Sequence, residues 1–261
     1  MNKSIGGDGT VGKALQVLED VAAFERPVRF SEVEEHSKLP KATLYRLMQT
    51  LTNQGMLNYI PESQTYSPGL KLVRLAHSAW RHSSIAYIAG PFLNELAKEV
   101  RETVHLAQLE AGQVLFIDKK RVTDRFETLA QAGLVAPAHC TGVGKVCLAY
   151  LSPARLERAL LQQTFLQYTP NSINTREKLM SELENIRKTG FAYDREEHET
   201  GVISIATSIR RSDGQPFGAV SIATSTNRQS LESLKQFGPV LLKTANQIGV
   251  EAEAWNFPQT S

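Results

Sequence analysis

Two short segments with helical spacing, separated by Lys38-Leu39-Pro40, constrain the start of this chain more than any other feature. Pro40 disfavours a helical residue before it and suits the first turn of a helix after it. Upstream, Ser31 followed three residues later by Glu34 reads as a capping box opening a short helix over 32–37. Downstream, Leu44, Leu47, Met48 and Leu51 share one face of a helix expected over 41–54, which Gly55 ends. An earlier helix is expected over 12–24, striped by Leu15, Leu18, Val21 and Ala22 and stopped before Pro27. After Gly55, residues 56–60 and 65–67 read as two strands around the polar turn Pro61-Glu62-Ser63-Gln64. Helix, tight turn, helix and hairpin in this order make a winged helix-turn-helix, whose second helix enters the DNA major groove.

Charge supports that reading once it is divided along the chain. The formal net charge is only +2 over 261 residues. Residues 1–35 hold four Lys/Arg against seven Asp/Glu; residues 36–94 hold six basic residues against Glu62 alone; residues 95–261 hold nineteen of each sign. Local rather than total charge sets phosphate affinity, so the basic block over 36–94 marks the DNA-facing part. At the front of the expected recognition helix, Lys41, Thr43 and Arg46 can bond phosphates, and Thr43, Tyr45 and Arg46 can reach base edges. Arg46, with its planar fork, is the strongest candidate for an essential contact.

The length suits roughly two domains. Residues 69–84 form a helical pattern without an acidic residue, expected as a connector, with Trp80 in the core or at a dimer interface. From 85 onward the pattern is mixed: helices over 85–100, 142–151, 153–163, 176–188 and 229–254, and strands over 103–109, 114–119, 126–131, 202–209 and 217–224. Arg211-Ser212-Asp213-Gly214 joins the last two strands as a hairpin. The expected class is α+β, with an antiparallel sheet in the second domain. The domains are 1–68, a connector over 69–84, and 85–261.

Two segments of the second domain carry chemistry. His139-Cys140-Thr141-Gly142-Val143-Gly144-Lys145 opens a helix with small residues, and free N–H groups at a helix start accept a carboxylate. Its spacing is not that of a nucleotide-binding P-loop. The other runs from Gly190 through Asp194 and Glu197 to Ser204, where Asp194 follows a helix end and Ser204 stands on the adjacent strand. A rival reading is an enzyme using Cys140 as nucleophile beside His139, or Asp194 and Glu197 as paired carboxylates. Neighbouring residues make poor dyads, however, because usable partners are distant in sequence. His77, His82, His105, His139 and His198 lack metal-ligand spacing, so no metal or other cofactor is expected. Two cysteines without a Cys-x-x-Cys pair, no apolar run of membrane length and no signal pattern at the start point to the cytoplasm.

With these motifs in place, the chain resembles the IclR family of bacterial transcriptional regulators along essentially its whole length. The likeness is carried by Gly190, Asp194, Glu197, Ser204, Ile205, Ala206 and Ile209 at matching spacing. It is carried also by His139-x-x-Gly142-x-Gly144-Lys145 with Leu148-Ala149, and by Leu183, Ile186, Arg187, Gly190 and Phe191. The resemblance implies a homodimer or tetramer on double-stranded operator DNA, and a GAF-like C-terminal domain sensing a small organic or aromatic acid. It implies that effector oxygens meet the N–H groups of Gly142 and Val143, with Asp194, Ser204 and Ser221 contributing from the sheet. Three departures, Ser204 for a common Cys, Ala223 for a second Ser, and Arg210-Arg211 for an aromatic and acidic or amide pair, point to a larger and less polar ligand than glyoxylate.

Overall fold

The computed structural model describes residues 9–83, 85–121 and 128–255, with side chains omitted for 80–83. The expectations for the first eight residues and for the Trp80 side chain lie outside the described residues. The chain divides into two compact units, residues 1–82 and 83–261.

In the first unit, helix α1 (Gly9–Ala22), α2 (Phe30–His36) and α3 (Lys41–Asn53) enclose a small core. Val17, Val21, Val33, Leu44, Leu47, Met48 and Leu51 meet there. Strands β1 (Val28–Arg29), β2 (Leu57–Ile60) and β3 (Thr65–Pro68) form an antiparallel sheet in the order β1-β3-β2, which is the wing. The apolar stripe of α3 faces inward at Leu44, Leu47, Met48 and Leu51, so the remaining face is free for other work.

Two expectations here are corrected. The Ser31–Glu34 capping box does not form: α2 starts two residues earlier, at Phe30, and it is the Glu32 carboxylate that accepts the Arg29 N–H at 2.8 Å. The cause is β1, which the sequence pattern missed. Val28 and Arg29 pair with Tyr66 and Thr65 of the wing, so the chain stays extended up to Arg29 and turns immediately after it. Glu34 instead takes the Lys41 ammonium at 3.0 Å. Likewise α1 ends at Ala22 rather than 24, and Phe24 packs edge-on against His36, ring centroids 5.2 Å apart.

Helix α4 (Leu70–Ser83) follows the wing. In the second unit, α5 (Ala86–Val100) leads into β4 (Thr103–Glu110), β5 (Gln113–Lys120) and β6 (Val135–Pro137), then α6 (Gly142–Ala149), α7 (Pro153–Leu161) and α8 (Arg176–Thr189). Strands β7 (Ala192–Arg195), β8 (Val202–Arg210) and β9 (Pro216–Ser225) precede α9 (Leu231–Lys235) and α10 (Gly238–Ala254). The six strands form one antiparallel sheet in the order β6-β5-β4-β9-β8-β7. No helix among the described residues is long and apolar enough to cross a membrane.

Strand periodicity of two gives this sheet two chemically different faces. Val104, Leu106, Ile203, Ile205, Ile209, Val220 and Ile222 build one core with Leu93 and Leu96 of α5 and Leu241 and Ile248 of α10. The intervening positions, His105, Ala107, Ser204, Ala206, Ala219, Ser221 and Ala223, are small or polar and turn to the side where α6 and α8 lie. Small side chains on that face leave space beside α6.

The expected single helix over 229–254 is two helices, α9 and α10. Pro239 has no N–H to continue a helix and suits a helix start. Gly238 lies against Phe191, where a Cβ would sit 3.3 Å from Cζ of the ring. A strand expected over 126–131 is absent from 128–131; residues 126 and 127 lie outside the described residues. The edge strands β6 and β7, three and four residues long, escaped detection because so short a segment shows little alternation.

Candidate functional site

Helix α6 is the centre of the second unit's polar site. Its N-cap is Thr141, whose hydroxyl accepts the Gly144 N–H at 3.3 Å and donates to the Pro137 carbonyl at 2.8 Å. The Lys145 N–H bonds the Thr141 carbonyl at 2.9 Å. Gly142 and Val143 are thus the first-turn residues whose N–H groups have no partner among the described residues, and the helix dipole makes that end electropositive. At the other end, the Arg187 Nε donates to the Ala149 carbonyl at 2.7 Å.

Both glycines of this helix are needed for close approach. A Cβ on Gly142 would lie 2.9 Å from the Ser204 Oγ, and one on Gly144 would lie 2.4 Å from the Ala138 Cα. The second contact is with backbone and has little room to relax. Gly144→Ala is therefore expected to destabilise the second unit by about 1–3 kcal/mol, read as a lower urea midpoint.

Beside the α6 N-terminus is a small cavity of about 40 Å³, partly open to solvent. Gly142, Val143, Asp194, Ser204 and Ser221, the five residues singled out from sequence, all line it. Strand register brings them there: Asp194 pairs with Ser204, Ser204 with Ala223, and Ser221 with both Ala206 and His105. Phe116, Ala130, Val202 and Ala223 supply apolar wall, and His105, Thr128, Thr141, His198 and Glu199 supply further polar groups that sequence reasoning missed. His105 had a usable signal: it lies two residues from both Thr103 and Ala107, on the small and polar face of β4.

Burial sets the protonation of the site. It pushes the Asp194 carboxyl up to about 7, with the Glu197 charge adding to the effect; Lys145 and the N–H groups of Glu197 and His198 oppose it. The Glu197 N–H reaches the Asp194 Oδ1 at 2.8 Å. Burial, assisted by Lys119, pushes His105 down to about 3, leaving a neutral imidazole that shares a 3.2 Å hydrogen bond with the Thr128 hydroxyl. Burial also lowers His198. The Cys140 thiol is pushed far up by burial and by Asp194 and Glu197, and burial pushes Cys147 up to about 12. Neither cysteine provides a thiolate at neutral pH, and the His139 Nε2–H is committed to the Leu166 carbonyl at 3.1 Å. Among the described residues no three His, Cys, Asp or Glu side chains converge as a metal site.

Directly behind the cavity is a buried ion cluster. Lys145 has no solvent exposure, and its ammonium donates to the Tyr193 carbonyl at 2.6 Å, to Glu197 at 2.5 Å and to Glu182 at 3.4 Å. Against the upward push of burial, Lys145 and Arg195 hold the Glu182 carboxyl below its usual range. These contacts tie α6 to β7 and to the 195–198 turn, the elements that carry Gly142 and Asp194.

In the first unit, Lys41, Tyr45 and Arg46 are exposed on α3 and Thr43 is half-buried. Tyr45 stands edge-on to Phe30, with ring centroids 5.9 Å apart. Arg46 makes no side-chain ion pair among the described residues. All four residues are on the face of α3 that the core leaves uncovered.

A winged helix-turn-helix joined to an α+β unit with a helix-capped polar cavity is the architecture of a DNA-binding regulator that carries a ligand-binding domain. Residues 10–61 match the IclR helix-turn-helix domain, and residues 77–250 match the bacterial transcriptional regulator IclR C-terminal domain. The chain belongs to the IclR family of transcriptional regulators, with an N-terminal DNA-binding domain and a C-terminal ligand-binding domain. It is 30% identical over 228 residues to the HTH-type transcriptional regulator XynR of Escherichia coli K12, covering 87% of this chain and 90% of that protein. It is 28% identical over 238 residues to the transcriptional repressor IclR of the same organism, covering 90% and 87%. The crystal structure of Thermotoga maritima IclR superposes with a TM-score of 0.74 at 28% identity, covering 93% of this chain and 98% of that one.

Proposed function

We propose that the cavity beside α6 is the effector site of the ligand-binding domain and takes a small organic or aromatic carboxylic acid. The observation that carries this reading is the meeting of the unpartnered Gly142 and Val143 N–H groups with buried Asp194, Ser204 and Ser221 around one cavity. A carboxylate at a helix N-terminus gains both hydrogen bonds and dipole attraction. Below about pH 7 Asp194 holds its proton and donates to a second ligand oxygen instead of repelling it. Ser204 and Ser221 serve as adaptable hydroxyl partners. Phe116, Val202 and Ala223 accept the ligand's apolar body.

In the same reading, residues 1–68 bind operator DNA through Lys41, Thr43, Tyr45 and Arg46, the 69–84 connector transmits the effector's signal, and 85–261 binds effector and assembles the homodimer or tetramer. A two-fold assembly matches a palindromic operator. The cavity binds without turnover, since a thiol raised by burial is a poor nucleophile.

The direct experiment is a thermal-shift screen of organic and aromatic acids, repeated in Asp194→Ala and Ser204→Ala. A ligand at a hundred times its Kd adds about 2.7 kcal/mol of stability. A stabilising acid whose effect disappears in both variants supports the site; a hit indifferent to both, or no hit at all, removes the carboxylic acid reading.

The raised Asp194 carboxyl makes a pH prediction. In the folded chain it holds its proton up to about 7, whereas the unfolded chain releases it near pH 4. Between those values the folded state binds more protons, so stability falls as pH rises from about 4 to 7 and levels off above. Asp194→Asn is expected to flatten that slope in urea titrations at pH 5, 6 and 7. Binding of an anionic acid should weaken above pH 7 in the wild type but not in Asp194→Asn.

A further inference from the structure

On the far side of the Lys145 cluster from the effector cavity, a solvent-open groove of about 540 Å³ runs along α8. Lys178, Ser181, Glu182 and Asn185 line it at positions i, i+3, i+4 and i+7, so a single face of α8 presents only polar groups. The opposite stripe, Leu179, Leu183 and Ile186, is in the core. Arg195 and Glu197, from β7 and the turn after it, line the rest of it together with Asn171 and the one apolar residue, Ile173.

Glu197 makes this more than a solvated helix face. It is 3% exposed, its Oε1 holds Lys145, and its Oε2 is buried without a hydrogen-bond partner. Leaving such an acceptor unpaired costs about 1–3 kcal/mol, so the arrangement calls for a donor from the groove side. Beside it, the Glu182 Oε1 already accepts from both Lys145 and Arg195.

The groove's composition selects the ligand class. Acceptors (Glu182, Glu197) and donors (Lys178, Arg195, Asn185, Ser181) alternate across a few residues. A carboxylate would meet Glu182 and Glu197, and an ammonium would meet Lys178 and Arg195, so either charge finds a like neighbour. Vicinal hydroxyls donate to carboxylate oxygens and accept from amides and guanidinium at once. We propose that this groove is a second ligand site, separate from the effector cavity, for a small neutral polyhydroxylated molecule such as a sugar or polyol. The Glu197 N–H also donates to Asp194, which lines the effector cavity.

The test is saturation-transfer NMR on the full chain with D-xylose, D-glucose and glycerol as probes, and with acetate and ethylammonium as charged controls. Transfer to at least one neutral probe is expected, at least tenfold weaker in Asn185→Ala and in Ser181→Leu, two variants on the exposed side of α8 that keep the fold by circular dichroism. Ser204→Ala, which alters the other cavity without overpacking it, should leave the transfer intact. Silence from all three neutral probes would overturn the proposal and assign the Glu197 Oε2 to an ordered water only. Transfer that survives in both α8 variants, or disappears in Ser204→Ala, would overturn it equally.

Discussion

Lys145→Ala is expected to destabilise the second unit by about 3–5 kcal/mol, enough to shift its urea midpoint sharply. The reason is asymmetric. With the ammonium present, Glu197 and Glu182 are compensated and the Tyr193 carbonyl is satisfied. Without it, a carboxylate that is 3% exposed keeps only the 3.7 Å contact with the Arg195 guanidinium. The double variant Lys145→Met, Glu197→Gln, which removes both buried charges while keeping volume, is expected to recover much of the loss. Equal destabilisation in the single and double variants would mean that packing, not charge, holds this corner. Because the cluster joins α6 to β7, the single variant should also lose any ligand that rests on the Gly142 and Val143 N–H groups.

Arg46→Ala is expected to weaken binding to the DNA upstream of the protein's own gene by about 10–100-fold, equivalent to 1–3 kcal/mol. Arg46 is exposed on the free face of α3 and has no ion pair among the described residues to hold it back, whereas Lys41 is shared with Glu34 at 3.0 Å. Fluorescence anisotropy on specific and scrambled duplexes separates two roles. If Arg46 grips phosphate, both affinities fall together and the salt slope drops by about one; if it reads a base edge, only the specific affinity falls. Arg46→Lys, which keeps the charge but not the fork, should retain non-specific binding. Unchanged specific affinity in Arg46→Ala would remove the residue from the interface.

Much of the architecture was legible because long elements carry strong periodicity. The stripe Leu44, Leu47, Met48 and Leu51 marked α3 to within a residue, and the hairpin at Asp213-Gly214 marked β8 and β9. What failed was short or conditional. Strand β1, two residues long, has meaning only through its pairing with the wing, and by pairing it moved the start of α2 away from the Ser31 cap. The break between α9 and α10 follows from Pro239 and from the Phe191 ring against Gly238, a contact between residues 47 apart in sequence.

The site divides in the same way. Motif and resemblance singled out Gly142, Val143, Asp194, Ser204 and Ser221, because glycines at a helix start and polar residues inside apolar strands are visible one residue at a time. Their shared cavity, with His105, Thr128 and His198, exists only through register: the order β4-β9-β8-β7 sets His105, Ser221, Ser204 and Asp194 across one face. The sequence alone thus determined most of the longer elements and which residues carry polar chemistry, since those depend on local spacing and side-chain type. Only the tertiary structure decided which protonation states they hold and which neighbours they keep. The proton on Asp194, the neutral His105 and the burial of Lys145 between Glu197 and Glu182 all arise from desolvation and contacts between distant segments.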